Sequence, residues 1–232
     1  MEHFQPKAAP AHEGLGTLLT GTQYQLFVDG PHEAMGLVGL NVFWAHSGAV
    51  DQGGADDHTT LEPAFDVSKG FGDLPDWPPW LRPFAITGNF SLDLPTRVNS
   101  DGTLNQSAFN AGFAIEYSLD YLQHQVKDIG LAAPFDRLIP LVEITTATPL
   151  NRGVTMGAGF IQGAGFLTNS RGRATTGLVA PGVIWAGQYN QIGVEAIFPY
   201  GKGQGHGLGG LVQLHYYLDD LFPNSIGRPL FD

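Results

Sequence analysis

Six carboxylates in this chain share an unusual setting: each stands almost alone in a row of small, uncharged residues. Glu62, Asp66, Asp93, Glu116, Glu143 and Glu195 are spaced among Ala, Gly, Ser, Thr and Asn, and Gln213 and His215 follow in the same style. Gln23 and Gln25 precede them on the first such row. Asp and Glu rings around a common space set a negative potential that favours cations and disfavours anionic solutes. Their plainer role is to hydrogen-bond to one another and to water, sealing a narrow interior. His215 is the residue of this set suited to base catalysis, as in barrel lipases. The chain has no Gly-x-Ser-x-Gly elbow, and no spacing pairs His215 with a serine.

Other candidates carry less. Asp56-Asp57-His58 groups metal-ligand types, but nothing in a Gly-rich loop fixes their geometry, so a solvated loop is the expectation. Gly157-Ala158-Gly159-Phe160 and Gly163-Ala164-Gly165-Phe166 form a small repeat without the strand–helix context of a dinucleotide fingerprint. It reads as a mobile loop, with Phe160 and Phe166 available as apolar contacts for a ligand. Gly201-Lys202-Gly203 lacks the Ser or Thr of a phosphate loop. No metal, cofactor or catalytic set is expected, and the chain is not read as an enzyme.

The rows must be positioned by strands, because period-2 alternation dominates. Phe84, Ile86, Phe90, Leu92 and Leu94 alternate with Ala85, Thr87, Asn89, Ser91 and Asp93. Phe109, Phe113, Ile115 and Tyr117 alternate with Asn110, Gly112, Ala114 and Glu116. Similar runs at Leu18–Val28, Val38–Trp44, Leu61–Ser68, Leu138–Thr148, Val179–Trp185, Gln191–Phe198 and Leu211–Asp219 bring the expected count to about nine strands. Successive side chains point to opposite faces, so each strand presents one apolar and one small polar face. Tight turns fall at Asp29–His32 and Gly187-Gln188, and long Gly/Asp/Asn-rich loops at Ser47–His58, Thr96–Gln106, Leu150–Arg173 and Tyr200–Gly207. The links Gly70–Arg82 and Asp120–Phe135 are intermediate, with a short helix expected in Leu119–Ile129. Short turns at one rim and long loops at the other is the layout of outer-membrane barrels.

Composition limits the partners. Eleven Lys and Arg against 22 Asp and Glu give a formal charge of −11. Nucleic-acid binding needs a basic stripe, and no window supplies one. The absence of cysteine removes disulfides, thiolate metal sites and a Cys nucleophile. No apolar run reaches the roughly 18 residues of a membrane-crossing helix. Residues 1–19 lack the apolar centre of a signal peptide.

Alternation alone also fits a soluble β-sandwich with one face in the core and one in water. Three features favour a membrane barrel. The strands match or exceed the roughly 9–11 residues that cross a bilayer at a tilt. Their polar rows are small and uncharged apart from single carboxylates. Aromatics cluster near strand ends on the apolar rows: Trp44, Phe109 and Phe198 toward the loops, Phe84, Tyr117, Trp185 and Tyr216 toward the turns. Such belts mark the two membrane interfaces.

Four segments resemble a known family: Gly72–Gly88, Phe113–Arg152, Pro181–Pro199 and Gly207–Phe231. The most specific parts are Pro-Gly-Val-Ile-Trp-Ala-Gly at 181–187 and Gln-Leu-His-Tyr-Tyr-Leu-Asp-Asp-Leu-Phe-Pro at 213–223. From about Gln23 onward the chain is similar to the meta-pathway phenol-degradation family, transporter-like bacterial outer-membrane barrels. That resemblance implies one domain over residues 1–232, the C-terminal portion of an up-and-down transmembrane β-barrel. About 12 strands are implied in the intact family, with the signal peptide and N-terminal strands missing here. Such a barrel sits in the lipid bilayer of the outer membrane and passes small hydrophobic or aromatic solutes passively. The residues above would then line its lumen. The alternatives are a soluble secreted β-sandwich binding module, for carbohydrate on Trp77 or Trp80, and an outer-membrane barrel hydrolase. A barrel short of strands exposes an unpaired edge, so the chain as given is expected to aggregate or to form a curved open sheet.

Overall fold

Sequence runs that alternate large apolar with small polar side chains offer no helical stripe. Their backbone groups must therefore find partners on neighbouring strands. In the computed structural model, the described residues are 2–4, 12–14, 17–47, 58–97, 105–151, 154–161, 164–171, 174–201 and 208–222. Among the described residues thirteen strands form: β1 Glu2–Phe4, β2 His12–Gly14, β3 Leu19–Asp29, β4 Ala34–Phe43, β5 Thr60–Gly70, β6 Phe84–Pro95, β7 Ala108–Tyr117, β8 Leu138–Pro149, β9 Val154–Ile161, β10 Ala164–Arg171, β11 Thr176–Ala186, β12 Asn190–Gly201 and β13 Gly209–Tyr216. Nine of them make one antiparallel sheet in the order β13-β12-β11-β8-β7-β6-β5-β4-β3, in which sequence neighbours pair throughout. These are the nine strands that the alternation predicts. Eight of the nine have 10–12 residues, and β13 has 8.

Two short antiparallel pairs stand outside the sheet, β1 with β2 and β9 with β10. The second pair corrects an expectation. Leu150–Arg173 is not a plain loop: β9 and β10 are antiparallel, with Phe160 opposite Gly165 and Phe166 opposite Gly159. Val154, Met156, Ala158 and Phe160 do alternate with Thr155, Gly157 and Gly159, a strand period that the glycine content masks. β4 likewise starts at Ala34, four residues before the expected Val38, because Ala34 and Gly36 add little apolar signal. The short helix expected near Leu119 is α1, Leu119–Tyr121, capped by Ser118 Oγ accepting the Tyr121 N–H at 3.1 Å. It continues as one π-turn, Leu122–Val126. A second helix, α2, spans Leu218–Leu221.

Register sorts the side chains into two faces. Glu143 lies opposite Ala114, Ala114 opposite Thr87, and Thr87 opposite Ser68. One step along, Ile144 lies opposite Phe113 and Phe113 opposite Gly88. Burial is inverted relative to a water-soluble sheet. On β12 the polar-face residues Glu195 and Ile197 are 4% and 3% exposed, while the apolar-face residues Val194 and Phe198 are each 49% exposed. Ile115, Val142, Ile144, Leu214 and Tyr216 on the apolar face are also exposed, and Ala114, Glu143, Leu178 and Ala180 on the other are buried. The sheet therefore curls around its small polar face. Apolar side chains stand on the outside.

Three of the cross-strand pairs that lay a side chain over a glycine have a Phe, Tyr or Glu as the cover. Phe27 covers Gly36, Tyr200 covers Gly177 and Glu195 covers Gly182, each pair directly opposite in register. A Cβ at any of the three glycines would strike the covering side chain. Tyr200 reaches across β11 and donates its hydroxyl to the Thr145 carbonyl on β8 at 3.1 Å.

The rim of short turns is tied together by ion pairs and backbone contacts. Glu33, at φ 49°, accepts the Gly72 N–H on its carboxylate at 2.7 Å, and its carbonyl accepts Gly70 N–H at 2.9 Å. Lys69 pairs with Asp73 at 2.6 Å and also donates to the Gly70 carbonyl. Arg82 pairs with Asp76 at 2.9 Å and bonds the Gly72 carbonyl at 3.0 Å. The Lys69 hydrogen bond holds the Asp73 carboxyl below its ordinary range. Because the folded value is the lower one, the pairing is present above the unfolded pKa and is lost as pH falls through the folded one. Replacing Lys69 by Met is expected to move the Asp73 titration upward, read by carboxyl-carbon NMR. An unchanged midpoint would assign the depression to something other than Lys69.

Candidate functional site

The polar face encloses a cavity of about 560 Å³ lined from seven strands, β3 through β8 and β11. In a flat sheet β3 and β11 would lie about 29 Å apart, six steps of about 4.8 Å. One cavity touching both requires the curl that burial describes.

Of the sequence-expected residues, Glu62, Asp66, Glu143 and Gln23 line this cavity. Asp66 is the best held. Asn89 Nδ2 donates to its Oδ1 at 2.6 Å, and Gln23 Nε2 reaches its Oδ2 at 3.4 Å. These donors come from β6 and β3, the flanks of β5 and β4, so adjacent hairpins converge on one carboxylate. Asn41 Nδ2 donates to Glu62 Oε1 at 2.8 Å from the neighbouring β4, and Glu62 is 4% exposed. Asn110 Nδ2 contacts Ser91 Oγ at 3.4 Å. Thr145, Thr146 and Thr176 complete the wall on the β8–β11 side.

The remaining expected residues share the face but not the cavity. Asp93, Glu116, Glu195, Gln213 and His215 keep the inward register without lining the cavity, and Gln25 lies on the same row of β3. For Glu195, Gln213 and His215 the strand decides this, since neither β12 nor β13 contributes to the lining; for Asp93 and Glu116 it is height along the strand. Glu116, Leu141, Gly182 and Glu195 form one cross-strand row at the level of the short turns. His215 contacts the Gln213 amide oxygen at 3.2 Å, so the partner seen is an amide. The Gln191 amide oxygen likewise accepts the Tyr217 hydroxyl at 2.6 Å. Asp56 and Asp57 lie outside the described residues, as do Lys202 and Gly203, and among the described residues no group of three His, Cys, Asp or Glu could hold a metal.

Sequence reasoning placed Gln23 and Asn89 on the polar rows but missed Asn41, which stands inside the apolar stretch 36–45. Its presence there is the signal: a lone Asn on a strand marks the row that faces polar company. The cavity wall can thus do two things chemically, accept hydrogen bonds and stabilise positive charge; among the residues that line it none is Lys, Arg or His.

The aromatics expected at the two rims lie where the strands end. Trp44 donates its indole N–H to Thr20 Oγ1 at 2.9 Å, beside the start of β3. At the opposite rim Trp185 donates to the Pro134 carbonyl at 3.1 Å, and Phe84 packs edge-on against Tyr117 at 4.6 Å. Trp77 and Trp80 are 80% and 58% exposed in the link between β5 and β6. No helix among the described residues is long and apolar enough to cross a membrane. No family model, curated protein or solved structure matches the chain.

Proposed function

We propose that this chain is part of an outer-membrane β-barrel whose interior is a passive channel for small hydrophobic or aromatic solutes. The inverted burial supports the membrane reading most directly. A wide exposed apolar face marks a partner surface on a soluble protein, and here exposed large apolar side chains stand on the outer side of every strand of the sheet but β11. Hydrocarbon is the solvent that matches it. Strands of 10–12 residues are long enough to cross the bilayer at a tilt. Exposed rim tryptophans fit headgroup depth. The substrate class comes from the family resemblance of the four quoted segments. Apolar solutes crossing such a path would meet a wall of amides, hydroxyls and three carboxylates broken by Ala, Gly and Leu positions.

Swelling of liposomes containing the full-length protein tests the channel. Small neutral aromatics are expected to enter faster than into protein-free vesicles. Vesicles that stay tight would point to a structural or receptor barrel instead. A monodisperse, detergent-free monomer in water would favour the sandwich reading, with Trp77 and Trp80 as its stacking platform. Ester turnover that His215→Ala abolishes would favour the hydrolase.

A further inference from the structure

We propose that the interior selects by charge and hydrogen-bond polarity, passing cations and donor-bearing solutes in preference to anions, with Asp66 and Glu62 setting the preference. The inference rests on the channel reading above and adds the class of solute. Two independent features carry it. The first is the orientation of the amides. Asn89 and Gln23 turn their NH₂ groups onto Asp66, and Asn41 turns its own onto Glu62. Asn110 directs its NH₂ toward Ser91. Each of these amides thus spends a donor within the wall, and its oxygen remains to meet a solute.

The second is a buried acceptor: Asn110 Oδ1, at the cavity wall, is buried without a hydrogen-bond partner. A buried acceptor without a donor is costly, and a cation or an N–H or O–H group from a solute relieves it. An anion brings neither, and it meets Glu62, Asp66 and Glu143 with no lining Lys or Arg in compensation. Each unit charge about 6 Å from a passing ion changes its relative entry by about threefold in a water-filled space.

The test is the reversal potential of the full-length protein in planar bilayers under a KCl gradient. Potassium is expected to be favoured over chloride by about tenfold, three screened charges acting together. Asp66→Asn, removing one of the three, is expected to lower that ratio about twofold. Thr145→Lys keeps every carboxylate and adds a cation to the same wall, and is expected to lower it further. It guards against misfolding of the first variant. Conductance with a ratio near or below one, or a ratio that neither variant moves, overturns the inference and leaves the channel standing. A bilayer that stays sealed removes the channel and this inference with it.

Discussion

Lysine in place of Ile115 or Val142 is expected to expel the protein from bilayers, whereas lysine in place of Gly112 or Thr145 leaves it inserted. Ile115 and Val142 are directly opposite each other on β7 and β8, 50% and 42% exposed on the apolar face. Gly112 and Thr145 form another opposite pair, one face over, in the wall of the cavity. A charge on the lipid face of a barrel costs up to about 2–4 kcal/mol, most at mid-bilayer and less toward a rim, and close to nothing on a wet interior face. That corresponds to a roughly 30- to 700-fold shift in the folding equilibrium. The Gly112 position has room, since a Cβ there makes only ordinary contacts with Thr145 and Asn89. Equilibrium unfolding in urea with lipid vesicles reads the difference. Equal losses on the two faces, or tolerance of lysine at Ile115 and Val142, would sink the membrane assignment. The depth dependence gives a second check, because lysine nearer either rim should cost less.

Gly177→Val should be the most damaging small change in the sheet. Any side chain at 177 strikes the Thr145 carbonyl and the phenol of Tyr200, which lies over the glycine. The ring must leave and the backbone carbonyl must also give way, which strains the β8–β11 ladder. Overpacking of this kind costs about 1–3 kcal/mol. The displaced Tyr200 hydroxyl also loses its bond to Thr145, adding about 1 kcal/mol. Tyr200→Phe isolates the second contribution and should cost only that last amount. If Gly177→Val and Tyr200→Phe destabilise equally, the ring is not what fills the space above the glycine.

Much of this architecture is legible in the sequence, and the failures are specific. The nine strands and their two faces follow from side-chain alternation, because a one-residue slip would exchange every Phe and Ile with an Asn or Ser. Strand ends were less readable where side chains are small, as at Ala34–Gly36 in β4. The β9–β10 pair was hidden for the same reason, its alternation carried partly by Gly and Ala. The candidate site was half legible. Parity placed Glu62, Asp66 and Glu143 on one face together with Asp93, Glu116, Glu195, Gln213 and His215. Only curvature decides which of them share a cavity, and curvature belongs to the whole sheet rather than to any strand. The pairing of Asn41 with Glu62 depends on the β4–β5 register, which no single strand encodes.

The side chains laid over glycines have a further consequence for how this sequence can drift. At Gly36, Gly177 and Gly182 the empty position and its covering residue, Phe27, Tyr200 or Glu195, occupy one shared volume. Neither member can change size alone without a clash or a void. Among descendants of this chain the two positions of each pair should therefore vary together, a bulky residue gained at one accompanied by a small one at the other. Because the partners lie directly opposite on adjacent strands, those paired changes would record the register of the ladder in the sequences themselves.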